Sequence, residues 1–410
     1  MPLSPDELTQ LCEQEYEQQI IVDRLRREVY QQADPSASPE ILEELVKAEA
    51  ELKAIQEKQN TEQESKPESG LILETTESDD MNRIRGKETT GLEVKVHLRM
   101  AQIPTSYYHL LDHKETPLIS CEVHAVENDD DLFKRVRVTS FIEGYSARAV
   151  NTFELASDET KTFDQLPTLF HDRIQNLNEL TRASLNILIE DLDGNIELHQ
   201  TYPIWLLART TAPLGIKDPK TGKWNDMSRY FGAFVTPNAP SLMKFLREGA
   251  DHHPDTRLIG YQGTVEEILP QVKAIFEALK HKADITYVNS VISFSPDQGF
   301  ATQRVRLPRE SLEDKQANCI DGTVLFASLL EGISMNPAIV IIPGHAFVAW
   351  ETWNYSNEWN FLETTMIGTS TFEEACASGE KTAEYYKKSG NLELHPIQEL
   401  RTKYGIMPME

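Results

Sequence analysis

Cysteine is scarce in this chain. Cys12, Cys121, Cys319 and Cys376 are the only four in 410 residues, and no two lie at metal-ligand or disulfide-framework spacing. That excludes a sequence-evident zinc site and suits a reducing cytoplasm. Positive charge is also short: 40 Lys and Arg stand against 66 Asp and Glu, for a formal net charge of -26. Such a balance argues against a nucleic-acid or anionic-membrane surface. No apolar run approaches the roughly 20 residues of a membrane span. Met1-Pro2-Leu3-Ser4-Pro5 leads into a charged segment, which predicts no secretory leader. No pattern calls for a cofactor.

What remains is ample for two or three domains, with 40% hydrophobic residues to build their cores. Residues 6 to 33 and 39 to 58 read as two helices around Asp34-Pro35-Ser36-Ala37-Ser38. In the second, Ile41, Leu45, Ala48, Leu52 and Ile55 form a heptad seam, which fits a helical hairpin or a coiled coil with a second copy or a recruiting partner. Residues 61–90 are acidic and poor in apolar groups, the composition of a flexible tether. From Leu92 the hydrophobic period becomes two, through Leu92, Val94, Val96 and Leu98, then Ile119, Cys121, Val123 and Ala125. With hairpins near Glu143-Gly144 and Leu192–Asn195, residues 91–208 read as an all-β sandwich. His109, His113, His124 and His199 are dispersed in it and mark no site.

A Pro/Gly/Lys-rich connection over 209–228 opens the last region, 209–410. Here Val265, Ile268, Leu269, Val272, Ile275, Phe276 and Leu279 predict one amphipathic helix, and Asn289–Ala301 reads as a loop able to line a cleft. The densest pattern follows. Cys319 precedes an apolar helix that stops at Gly332, and in its first turn free N–H groups favour a thiolate. Ala338–Ile342 is a buried strand, His345 opens a second strand to Trp350, and Trp359–Glu363 is a third beyond the turn cluster Asn354–Asn357. A hairpin centred near 354 brings His345 and Glu363 together across one ladder. The carboxylate can then orient the imidazole, which serves Cys319 as base and later as acid. For a developing oxyanion the backbone N–H of Cys319 is the first donor, with Gln303 and Gln316 as side-chain candidates. Arg304 and Arg306 are candidates for a substrate carboxylate, and Trp350 and Trp353 for the walls of an acyl pocket. Cys376, on the same face as Phe372, is expected to pack in a core.

The runs NC-x-D-x-x-x-L-F-A-S-L-L-E, P-G-H-A-F-V-A-W and F-L-E-T-T, with ITYVNS and QRVRLPRESL upstream, resemble the transglutaminase-like superfamily of papain-type cysteine enzymes, in particular its compact bacterial members. The resemblance covers residues 225 to 405 and is most specific over 285–367. It implies a C-terminal α+β domain with Cys319 as nucleophile, His345 as general base and Glu363 as orienting acid, where the family ordinarily has Asp. The resemblance names no substrate; with water as the default acceptor, the expectation is a cysteine protease or amidase acting on a protein or peptide. Two other outcomes stay open: a catalytically inactive scaffold that binds a peptide, and an acyltransferase that crosslinks proteins.

Overall fold

The computed structural model describes residues 92–126, 133–191, 196–217, 224–289 and 300–409, with the backbone of Arg83–Arg85 and isolated helical residues between 47 and 54. The expected helix at 6–33, most of that at 39–58, most of the tether and most of the loop expected at 289–301 lie outside the described residues; within the expected tether, Arg83–Arg85 is a strand, because Glu93–Lys95 supplies its antiparallel partner.

The strands β1 (Arg83–Arg85), β2 (Leu92–Leu98), β3 (Gln102–Ile103), β4 (Ile119–Ala125), β5 (Phe133–Ile142), β6 (Ala149–Ala156), β7 (Thr160–Gln165), β8 (Thr181–Asp191) and β9 (Ile196–Leu206) form two sheets, ordered β1-β2-β4-β7 and β3-β9-β8-β5-β6. All neighbours are antiparallel except β3 beside β9. In β4 every second residue is buried, and Val94, Val96, Ile119 and Val123 share one core with Val138, Leu185, Ile187 and Ile189 of the other sheet. Gly144, at φ 75, turns β5 toward β6.

The segment read as a plain connection is structured. Thr211–Lys217 is β10 and Trp224–Asp226 is β11, and β10 pairs on its other side with β13, Phe300–Arg304. Nothing local in 211–217 marks a strand, because its partner lies some 90 residues downstream in the chain and supplies the missing hydrogen bonds. Helix α1 (Pro240–Gly249) and helix α2 (Ile268–His281) follow. The amphipathic stretch begins as a 3-10 turn at Val265–Glu267, capped by Thr264. Val265 and Leu269, expected on its inner face, are 55% and 49% exposed. The 3-10 turn explains Val265, since three residues per turn rotate it off the α-helical face; Leu269 lies within α2, on its exposed side.

Next come β12 (Thr286–Tyr287), β13, α3 (Pro308–Asp314), β14 (Gln316–Ala317) and α4 (Cys319–Gly332). The final sheet has the order β17-β16-β15-β18, from β15 (Pro337–Ile342), β16 (His345–Glu351), β17 (Trp359–Leu362) and β18 (Glu393–Pro396), with α5 (Phe372–Ser389) and α6 (Ile397–Thr402). Helix α4 is buried on every side: Ile320, Val324, Leu325, Phe326, Leu329 and Leu330 are at most 1% exposed, against β15, β16, α1 and α3. Each such side chain contributes about 1.5–3 kcal/mol by leaving water, which fixes the axis on which Cys319 rides. Gly332 is the last residue of α4 rather than a left-handed cap. Its Cα lies where a Cβ would press on Leu246 at 3.0 Å, and Ser334, at φ 62, makes the left-handed turn. No helix among the described residues is long and apolar enough to cross a membrane.

Candidate active site

Cys319 is the first residue of α4, so its N–H has no acceptor within the helix. Asn318 caps that helix: its Oδ1 accepts from Asp321 N at 2.8 Å, and Asp321 Oδ2 accepts from Asn318 N at 3.2 Å, a capping box. Asp321 is wholly buried and also accepts from Arg306 N at 2.7 Å and Arg306 Nη1 at 2.8 Å. Burial pushes the Asp321 carboxyl up, against the pull of Arg306 and the two backbone N–H groups. The helix start is therefore held on three sides by buried hydrogen bonds, and Cys319 itself stays partly exposed. Cys121 and Cys376 differ: burial pushes each thiol up to about 12, which keeps them protonated and unreactive near neutral pH.

His345 opens β16 after the Pro343-Gly344 turn, where Gly344 takes φ 73. Its Nε2 donates to Glu363 Oε2 at 2.7 Å, and its side chain hydrogen-bonds to Cys319, leaving Nδ1 as the nitrogen on the thiol side. The His345 and Glu363 side chains are only 7% and 2% exposed. Burial opposes charge on the imidazole, yet Glu363 and Cys319 outweigh it and hold the His345 pKa at about 10. Burial likewise opposes charge on Glu363. The imidazolium and two hydrogen bonds from Thr365 overcome it, so the carboxyl stays below its ordinary range.

The register differs from the simple expectation. Val348 pairs with Leu362 and Glu351 with Trp359, so residue numbers across the ladder sum to 710 rather than the 708 of His345 plus Glu363. Glu363 has left β17 and caps the 3-10 turn Thr364–Met366, and it reaches His345 as a diagonal neighbour on the same face. A glutamate has the extra methylene for that diagonal. Behind it, Glu363 N donates to Ala375 O at 3.1 Å, and α5 lies directly on β17 because Gly379 carries no Cβ to strike Leu362 N at 2.8 Å.

Of the remaining candidates, Arg306, Trp350 and Trp353 have side chains committed away from the thiol. Gln303, in β13, spends its amide on the Arg304 carbonyl at 2.9 Å. Gln316, in β14, pairs with Thr286 three residues ahead of Cys319. Among the described residues neither makes a hydrogen bond to Cys319, His345 or Glu363. Arg304 contributes its carbonyl, which accepts from Asn318 Nδ2 at 3.5 Å, and Arg306 is 8% exposed and committed to Asp321. Trp350 is fully buried in the core. Trp353 lies past the far end of β16, edge-on to Tyr261 at 5.7 Å between centroids, some 20 Å along the strand from His345. Neither tryptophan can line a pocket at Cys319.

Tyr287 was not singled out by the sequence. Partial burial of the ring first, then the charges of Cys319, Glu363 and Asp321, push its hydroxyl up to about 12, so it stays protonated near neutral pH. A strand of two residues has no periodicity to betray it. The described residues hold no group of three or more His, Cys, Asp or Glu able to bind a metal ion. No family model matches the chain, and no curated protein sequence matches it.

Proposed function

We propose that the chain is a cysteine hydrolase of the transglutaminase-like kind, cleaving a protein or peptide amide through an acyl-enzyme on Cys319. The observation that carries this reading is the line Cys319–His345–Glu363: a partly exposed thiol at a helix start, bonded to a buried imidazole whose other nitrogen lies 2.7 Å from a buried carboxylate. The Cys319 sulfur adds to the substrate carbonyl carbon, and the oxygen, as it gains charge, meets the free Cys319 N–H. His345 Nδ1 passes its proton to the leaving nitrogen as the C–N bond breaks, giving a thioester and an amine. Water then attacks the thioester, His345 takes its proton, and the thiolate leaves as the acid product departs. Glu363 holds the ring and balances its charge throughout.

The layout we assign is a helical module over 1–60, a linking segment over 61–90 that carries the edge strand β1, a β-sandwich over 91–208 and the enzyme domain over 209–410. The helices would cluster the enzyme or dock it on a partner. Low cysteine content supports placing it in the cytoplasm. Water is the simplest acceptor; a lysine acceptor would make the same acyl-enzyme a crosslinker.

The test is alkylation by iodoacetamide across pH 5 to 9, located by mass spectrometry. Cys319 should label far faster than Cys376, and His345→Ala should erase that advantage. Equal labelling of the two thiols, or indifference to His345, would overturn the reading and favour a peptide-binding scaffold.

A further inference from the structure

Beside the nucleophile lies an open strand edge. Thr286 N donates to Lys315 O and Val288 N to Ala317 O, each at 3.0 Å. Both thus face β14, and Tyr287 between them turns its N–H and carbonyl to the other side of β12. The sheet has the two strands β12 and β14, and no third strand borders β12 among the described residues. β14 runs through Asn318 straight into Cys319, so this free edge is one strand away from the sulfur. Two large side chains stand in the open there, Tyr287 at 46% and Val288 at 38% exposure, and Tyr287 lies within the electrostatic reach of Cys319 and Glu363.

An unpaired edge offers a polypeptide main-chain hydrogen bonds and leaves alternate side chains to flanking pockets. We infer that the acyl donor is an extended polypeptide segment paired through its own backbone with Tyr287 on the open edge of β12, its side chains packing on the Tyr287 ring and Val288. This rests on the cysteine-hydrolase reading and narrows its substrate class: main-chain recognition selects an unfolded or strand-like segment over a small amide or a non-peptide acyl group. In either strand direction, one substrate N–H donates to the Tyr287 carbonyl.

The test uses tetra-alanyl chloromethyl ketone, whose methyl side chains leave recognition to the backbone. Cys319 sulfur bonds to the methylene carbon, the C–Cl bond breaks and chloride leaves. The full chain is treated with this reagent, its mono-alanyl counterpart, and versions N-methylated at each alanine in turn, with iodoacetamide in parallel. The expected result is inactivation by the tetrapeptide at least tenfold more efficient than by the single alanine. Methylation of one particular nitrogen should remove about tenfold, and methylation elsewhere under threefold. Tyr287→Ala, which keeps the backbone, should weaken the tetrapeptide overall and preserve the methylation pattern. Equal efficiency of the long and short reagents, as when the chain's own residues fill the edge, overturns the inference, as does a flat methylation pattern. If iodoacetamide itself labels Cys319 slowly and without dependence on His345, the hydrolase reading falls and takes this one with it. If iodoacetamide labels rapidly and the methylation pattern is flat, only the β12 edge is wrong.

Discussion

The two-sheet region and the Cys319 region handle charge in opposite ways. In the sheets, ion pairs sit in water: Lys95–Glu122 has side chains 40% and 35% exposed, and Arg135–Glu154 has 65% and 58%. Around Cys319 they are dry, with His345–Glu363 at 7% and 2% and Arg306–Asp321 at 9% and 0%. Exposed pairs contribute little because solvent already stabilises each ion, whereas a buried charge is tolerable only while its partner is present. Buried charge costs stability, and it is concentrated where chemistry would use it.

The comparison breaks most sharply at Glu363. Glu363→Ala leaves the imidazolium without its counter-charge and is expected to cost about 3–5 kcal/mol in a urea unfolding titration; a loss under about 1 kcal/mol would mean that water reaches the pair. The milder Glu363→Gln gives a pH signature. Folding raises the His345 pKa from 6.5 to about 10, so its contribution to stability is full below 6.5 and is lost as the pH rises to 10. Folding lowers the Glu363 pKa from 4.5, so its contribution is present above 4.5 and is lost as pH falls. The stability gap between wild type and Glu363→Gln should therefore be widest between pH 4.5 and 6.5 and close above about 10. In the variant, the alkaline limb of any amidase activity should drop from near 10 toward the 6.5 of an ordinary histidine.

Gly379→Ala tests the backing of the same carboxylate. A Cβ there meets Leu362 N at 2.8 Å and Phe361 C at 2.9 Å, both backbone. Helix α5 must lift from β17, at about 1–3 kcal/mol, and iodoacetamide labelling of Cys319 should slow with it. Asn318→Ala removes the cap of α4 at about 1 kcal/mol; an unchanged melting curve would assign that role to Asp321 and Arg306 alone. At the small end, Arg135→Ala in the exposed pair should shift stability by no more than a few tenths of a kcal/mol, and a larger loss would erase the contrast between the regions.

How much of this was legible in the sequence depends on how local the cause was. The start of α4, the strand that opens at His345 and the alternation of β2 and β4 are written in adjacent residues. The meeting of His345 with Glu363 follows from a turn cluster alone, but its diagonal register depends on where β17 ends, which α5 decides. Strand β10 has its cause in β13, and the burial of Arg306 in Asp321, each remote in the chain. Trp350 could only be placed once α4 was seen to cover β16, and Tyr287 only once β12 was paired with β14.

The pairing of β10 with β13 also bears on the order in which the chain is made. Lys217 and Arg304 are separated by 304 − 217 = 87 residues, so at roughly 5–20 residues per second β10 waits about 4–17 s for its partner during synthesis. For that interval it is an unpaired edge, open to wrong pairing and suited to a chaperone's hold. The thiol waits for a shorter stretch, since Ala375 follows Cys319 by 375 − 319 = 56 residues. His345 becomes its partner only after Glu363 has emerged and Ala375 has arrived to hold Glu363 by its backbone. Until Ala375 has followed, a nascent chain lacks this backbone hold on Glu363, so Cys319 emerges well before the carboxylate that pairs with His345 is in place.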